Sequence, residues 1–359
     1  MTLPTVYLRD PFPPHAALAA LQVADLSYGF MLMRPSACSF RLSVADPNLA
    51  DWADKFRLGS MISVEREDGQ LPWAGMVTRM EAIAGDPLVS FEAKDHAGAL
   101  FARGRTRKGG TLEQASGRLI AEIFAEAEAR AEPPLLVKLE LEDGPPVRYT
   151  PRANTLLDFL DTLADFTDWE WGLSHEVGPT LATTLSWRGR QGFDRTGEVC
   201  WEHGFHFTKA SYTQDAEGFI GSGVAVGGTG LFAERAAAAV NISGAASPGI
   251  EARPVAVMNV PIFPALAGTA VLVDSQVDDK ESLFRGAARL HNRPQAAKEQ
   301  LSLQLAESMV DLNRLGIGDY VTVRLSDINL GLGLERTVRV TALQFEPEKG
   351  TIDVETEVQ

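Results

Sequence analysis

The sequence predicts a β-rich α+β protein: two small antiparallel β-barrel modules, an α+β module inserted among their strands, and a second helix-containing insertion. Three observations carry this reading. Apolar and polar residues alternate, the period of a half-buried strand, in many short runs from Ser39 to the C-terminus. Helical spacing replaces the alternation in only a few windows. Two stretches far apart in the chain also repeat one grammar of strands and turns.

In chain order, Phe40, Leu42 and Val44 alternate with Ser39, Arg41 and Ser43. A strand from Met61 to Glu67 ends at Asp68-Gly69, resumes from Trp73 to Ile83, turns at Gly85-Asp86-Pro87 and returns from Leu88 to Ala93, an antiparallel meander. Thr111 and Gln114 read as a capping box that opens a helix, because Ala115, Leu119, Ile120, Ile123, Phe124 and Ala127 follow at helical spacing. Pro133-Pro134 stops it. A strand from Leu135 to Leu141 and a turn at Asp143-Gly144-Pro145 lead to a second helix, capped by Asn154 or Thr155 and carrying Leu156, Leu157, Leu160, Leu163 and Phe166.

Strands are expected again at Trp169 to Leu173, Leu181 to Arg188, Phe205 to Tyr212 and Phe219 to Val226. Thr229 to Pro254 is rich in Ala, Gly and Ser; Leu231 to Val240 reads as a short helix and the rest as a long loop. A strand at Thr269 to Val273, a helix opened by Asp278 and Glu281, and alternating runs at Leu301 to Leu305, Val321 to Leu325, Val338 to Leu343 and Ile352 to Val358 complete the chain. The expected organisation is a first β-barrel domain at 1–105 and an inserted α+β domain at 106–175. Residues 176–275 complete the first barrel and start the second, with the Ala/Gly-rich loop at 229–254; residues 276–359 supply a helix and the second barrel's strands.

The repeat pairs two segments. The first runs Leu58-Gly59, Met61 to Glu67, Val77 to Ile83, a Gly-Asp-Pro turn, and Val89 to Ala93. The second runs Gly316-Ile317-Gly318-Asp319, Tyr320 to Leu325, Val338 to Phe345, a Pro-Glu-Lys-Gly turn, and Thr351 to Val358. In each, a glycine precedes an alternating strand and a tight hairpin ends the unit.

Composition excludes several classes. At 359 residues the chain buries a sizeable core without disulfides or structural metal, and its two cysteines, Cys38 and Cys200, lack paired spacing. Charges or prolines punctuate every apolar run, so no membrane helix is expected, and the first twenty residues lack the grammar of a signal peptide. The net charge of -15 argues against a surface built for the phosphate backbone.

No residue pattern assigns a catalytic, cofactor or metal site. Cys200, Glu202, His203 and His206 are metal-competent types, but on a strand His203 points away from Cys200 and His206. Gly221, Gly223, Gly227, Gly228 and Gly230 break the order of a phosphate loop at Val226. Asp95-His96 has no nucleophile partner, and Asp158, Asp161 and Asp278-Asp279 sit where capping and solvation explain them. Among the tryptophans, Trp169, Trp171 and Trp73 are the candidates for contact with a neighbouring subunit.

Several stretches carry a family resemblance: Phe56-Arg57-Leu58-Gly59 with Met61 to Val64, Trp73-Ala74-Gly75-Met76-Val77, and Phe91 to Asp95 running into Leu100-Phe101-Ala102-Arg103. To these are added the helix Thr155 to Phe166 followed by Trp169-Glu170-Trp171, the helix from Asp279 to Leu290, Leu315 to Val323, and the closing hairpin Arg339 to Val358. In this order they resemble the baseplate or tail-tip hub proteins of tailed bacteriophages, in particular the siphovirus tail-associated hub type. The resemblance implies two barrels per chain in a homotrimeric ring that adapts a six-fold tail tube to a three-fold tip or fibre assembly. The implied neighbours are distal tail or tail-tube, tape-measure and tip or fibre proteins, at the virion tail tip after assembly in the host cytoplasm. It implies no cofactor, no membrane binding and DNA only as passing cargo. A tail-associated cell-wall hydrolase and the spike-hub of a contractile injection system are the alternatives.

Overall fold

The structure, a computed structural model, describes residues 3–12, 14–43, 58–67, 69–106, 109–130, 137–151, 154–215, 220–227, 237–239, 268–274, 298–325 and 334–358. The first run of strands is β1 (Thr5–Arg9), β2 (Ala17–Leu21), β3 (Val23–Met31), β4 (Ala37–Ser43), β5 (Met61–Glu65), β6 (Trp73–Ala82) and β7 (Leu88–Lys94). A π-type helical segment, Ala97–Phe101, leads to β8 (Leu112–Ala115), α1 (Ser116–Ala129), β9 (Val137–Leu141) and β10 (Pro146–Tyr149). Then come α2 (Leu156–Thr167), β11 (Glu170–Val177) and β12 (Leu181–Arg188). The remaining strands are β13 (Cys200–Glu202), β14 (Phe207–Asp215), β15 (Ile220–Gly227), β16 (Ala237–Ala239), β17 (Gly268–Asp274), β18 (Lys298–Ala306), β19 (Tyr320–Leu325), β20 (Leu334–Glu346) and β21 (Thr351–Val358).

Strands from both ends of the chain form one 13-stranded sheet, ordered β14-β18-β21-β20-β3-β4-β7-β6-β5-β1-β2, with β19 beside β20 and β13 beside β19. The sheet contains two alike arrays. In the first, β3-β4-β7-β6-β5 are neighbours; in the second, β14-β18-β21-β20-β19. The likeness reaches single hydrogen bonds. Gly59 N–H donates to Val77 O and Val77 N–H to Ser60 O, while Gly318 N–H donates to Val340 O and Val340 N–H to Asp319 O. Both glycines have positive φ, +90° and +89°, a conformation a side chain disfavours, which is why glycine precedes the strand in each unit. The irregularity after Val77 in the β6–β7 ladder recurs after Val340 in the β20–β21 ladder. Further out, Ser27 and Tyr28 pair with Ser39 and Cys38 as Ser211 and Tyr212 pair with Ser302 and Leu301.

The two expected barrels are therefore corrected to two alike arrays of one open sheet. Among the described residues neither closes on itself by hydrogen bonding, because β20 passes the sheet on to β3. Their apolar faces share one core, from Val6, Phe40 and Phe91 to Leu303, Val340 and Ile352.

A second core runs from Ala97 to Trp187 and joins α1 and α2 to Trp171, Leu185 and Trp187, so the strand expected to complete the first barrel, β12, instead pairs with β11 and β9 over these helices. The helix expected to open at Thr111 opens at Ser116. Residues 112–115 pair with β10, and the first helical N–H groups are met by loop carbonyls, Ser116 N–H to Pro145 O and Gly117 N–H to Asp143 O, with no side-chain cap. The second cap stands as expected, since Thr155 and Asp158 form a reciprocal capping box. Residues 237–239, expected in a helix, form a strand beside β15, and the helix expected from Asp278 lies outside the described residues, as does most of 229–254.

Candidate functional site

The joint between the two arrays is built by β3 and β20. Alternation places Leu26 and Tyr28 of β3 in the core, and antiparallel pairing sets Phe345 opposite Tyr28, Gln344 opposite Gly29, Leu343 opposite Phe30 and Ala342 opposite Met31. The Tyr28 ring stacks on Phe345 with centroids 5.0 Å apart, and Phe30 meets both edge-on at 6.2 and 6.1 Å. Gln344 donates to Ser27 Oγ at 2.7 Å. The Tyr28 hydroxyl accepts from Arg66, which also pairs with the buried Glu307; burial pushes the Tyr28 hydroxyl up to about 12, so it stays protonated. These aromatics were legible only through the Ser-Tyr pair that recurs at 27–28 and 211–212, a signal too short to register without the strand positions.

Among the described residues the corresponding half-strand of the first array is paired on one side. β6 gives Trp73–Met76 to β5, whereas Arg79, Met80, Glu81 and Ala82 pair with β7 alone among the described residues and are all exposed. Met80 is 55% and Ile83 62% exposed. Arg79 bonds Glu92 and Glu81 on the surface.

Two seams fix the inserted module to the sheet. At the first, Arg339 of β20 grips Glu170 of β11 through two bonds of 2.7 and 2.5 Å, and Gln191 N–H and Arg190 also donate to this carboxylate. Burial, the largest single influence, works to raise the Glu170 pKa, but the Arg339 hydrogen bonds, the Gln191 N–H and the charges of Arg339 and Arg190 together hold the carboxyl below its ordinary value. At the second, buried Arg9 of β1 bonds Ser63, Glu65 and the carbonyls of His15 and Gly178. Beside it Thr183 of β12 stands between His175 Nδ1, 3.0 Å away, and His96 Nδ1, 3.4 Å away.

Burial holds His96 down to about 3 and His175 to about 4, so both are neutral in the folded protein at pH 7. The unfolded chain would bind protons on them from about pH 6.5 downward. Stability is then complete above that value and falls as pH drops toward the folded values, by about 3 kcal/mol for the pair between pH 6.5 and 5. Urea denaturation at pH 7.5, 6 and 5 should show this loss, and His96→Gln should remove about half of it. An unchanged midpoint between pH 7.5 and 5 would contradict the neutral buried pair.

The tryptophan candidates for subunit contact are placed differently. Trp73 and Trp171 are 0% and 1% exposed; Trp73 donates to Ser36 Oγ and Trp171 to Asp161 Oδ1, so both are interior and offer no surface to a neighbour. Their period-two positions put them on the core face. Trp169 is half-buried, with its ring 6.1 Å from that of Trp187. Asp95 is taken up by Ser36 and Gly98, with burial raising its pKa, and His206 Nδ1 accepts from Glu202 N–H. Among the described residues no group of three or more His, Cys, Asp or Glu could hold a metal ion.

No protein-family model matches the sequence, and no curated protein does. Solved structures do. The 43 kDa tail protein of prophage MuSo2 from Shewanella oneidensis is 13% identical over 99% of this chain and 98% of that one, with a TM-score of 0.65. The tail protein from Neisseria meningitidis MC58 is 12% identical over 99% and 95%, at 0.60. Prophage tail protein gp18 from Listeria monocytogenes EGD-e is 14% identical over 99% and 94%, at 0.58. This chain has the fold of these tail proteins along nearly its whole length.

Proposed function

We propose that the chain is a structural protein of a phage-type tail, a tail-tip or baseplate hub that closes with two further copies into a ring. The observation that carries this is the repeat. Two arrays that match down to the Gly59 and Gly318 hydrogen bonds let three chains present six alike units, the match needed between a six-fold tube and a three-fold tip. The fold shared with three tail proteins supports the setting in a virion tail.

The protein works by shape and interface, with no chemical step assigned to it. Tube, tape-measure and tip or fibre proteins are its neighbours on this reading, and the net charge of -15 suits a lumen that passing DNA does not adhere to. Native mass measurement of the purified chain should give a species of three 38.8 kDa protomers at micromolar concentration. A monomer at every concentration, alone and in assembled tails, would overturn the ring.

A further inference from the structure

The joint inside the chain has an unfilled counterpart on the surface. Aligned on their shared hydrogen bonds, the two arrays place Arg79, Met80, Glu81 and Ala82 of β6 where Ala342, Leu343, Gln344 and Phe345 stand in β20. They likewise place Ser211, Tyr212, Thr213, Gln214 and Asp215 of β14 where Ser27, Tyr28, Gly29, Phe30 and Met31 stand in β3. Within the chain, the β20 half-strand receives β3. Among the described residues its equivalent on β6 receives no strand, and β14, the equivalent of β3, ends the sheet beside β18.

We propose that the β6 half-strand of one copy receives β14 of a second copy, antiparallel and in the register of the internal joint. Ala82 then lies opposite Tyr212, Glu81 opposite Thr213, Met80 opposite Gln214 and Arg79 opposite Asp215 of the second copy. This rests on the ring reading and supplies its subunit contact. Three such joints alternate with three internal ones; because the two edges differ the contact is head-to-tail, and on the ring reading it closes after three chains.

Three observations select a second copy as the occupant. The surface continues a joint already formed within the chain, so its backbone geometry is one this sequence adopts. The register brings opposite charges together, Arg79 against Asp215, where the internal joint has Ala342 against Met31. The bond from Gln344 to Ser27 has its counterpart in Glu81, a carboxylate that accepts, and Ser211, a hydroxyl that donates. An open half-strand carrying Met80 at 55% exposure is also the kind of edge that isolated proteins avoid. Thr213 stands at the position of Gly29, where a Cβ would lie 2.7 Å from Leu343 O, so the joint between copies is the looser of the two.

The test uses the full chain in native mass measurement and disulfide trapping. Paired residues in an antiparallel ladder lie within disulfide reach. Met80→Cys with Gln214→Cys should yield covalent dimers and trimers on oxidation, while either single variant should not. Arg79→Glu should weaken trimer formation at least 10-fold, and adding Asp215→Arg should restore it. Circular dichroism verifies that each variant folds. Trimers that form but neither cross-link nor respond to Arg79→Glu would overturn this joint and leave the ring standing. A wild-type chain that stays monomeric would overturn the ring and the joint together.

Discussion

Arg339→Ala should destabilise the protein by about 3–5 kcal/mol, the cost of leaving a buried carboxylate without its partner. The guanidinium is 5% exposed, and so is Glu170, to which it makes two bonds. It also donates to Gly318 O and Gln191 O and lies 5.5 Å from the centre of the Tyr320 ring. Its removal takes two of the donors from the Glu170 carboxylate and one from each of two carbonyls. Arg190 and the Gln191 N–H still reach Glu170, which sets the loss toward the lower end of the range.

The pair variant separates charge from packing. Glu170→Gln with Arg339→Met removes both charges, keeps most of the volume and should recover over half of the loss in urea denaturation. The pH dependence follows from the same pair. Glu170 has a folded pKa below its unfolded one, so its contribution is complete above the unfolded value, near 4.3, and disappears as pH falls through the folded value. Arg339→Ala should flatten this acid limb while leaving the histidine-dependent loss between pH 6.5 and 5 intact. If Arg339→Ala shifts the urea midpoint no more than an exposed substitution such as Arg118→Ala, the seam does not hold the module.

Much of this architecture is legible in the sequence because its signals are local. The meander from Met61 to Ala93, the α2 cap at Thr155 and the closing hairpin are each specified by alternation or by turn residues a few positions apart. The repeat is legible for the same reason, as its marker glycines sit at a fixed place before each strand. What escapes is decided by distant partners. β3 reads poorly because its pairing is irregular between Ala24 and Ser27, which breaks the period, and its far neighbour β20 lies over 300 residues away. The start of α1 is misread because Thr111 and Gln114 carry the pattern of a cap, while β10 recruits residues 112–115 into a ladder. Trp73 and Trp171 look like contact residues until the core of the sheet takes in the first and the core of the inserted module the second, since an aromatic on a strand face is equally suited to a core and to an interface.

Gly192→Ala should be comparably severe, about 2–6 kcal/mol, because it combines two penalties. Gly192 has φ +82° and Gly318 φ +89°, and the two backbones touch: a Cβ on Gly192 would lie 2.1 Å from the Gly318 carbonyl carbon and 2.4 Å from Asp319 N. No side-chain rotation relieves a contact with backbone. The close approach positions the neighbouring bonds, Phe193 N–H and Arg195 to the Asp319 carboxylate and Tyr320 N–H to Phe193 O, which fasten the segment after β12 to β19. Gly59→Ala is the matched control. Gly59 has a similar positive φ, +90°, and is the first array's counterpart of Gly318, yet nothing lies within 4 Å of its would-be Cβ. It should cost only the backbone strain, about 1–3 kcal/mol. The excess of Gly192→Ala over Gly59→Ala isolates the backbone contact, and hydrogen exchange should place the lost protection in residues 189–199 and β19. Equal losses for the two variants would mean that the close approach of Gly192 to Gly318 adds nothing to the hold on β19.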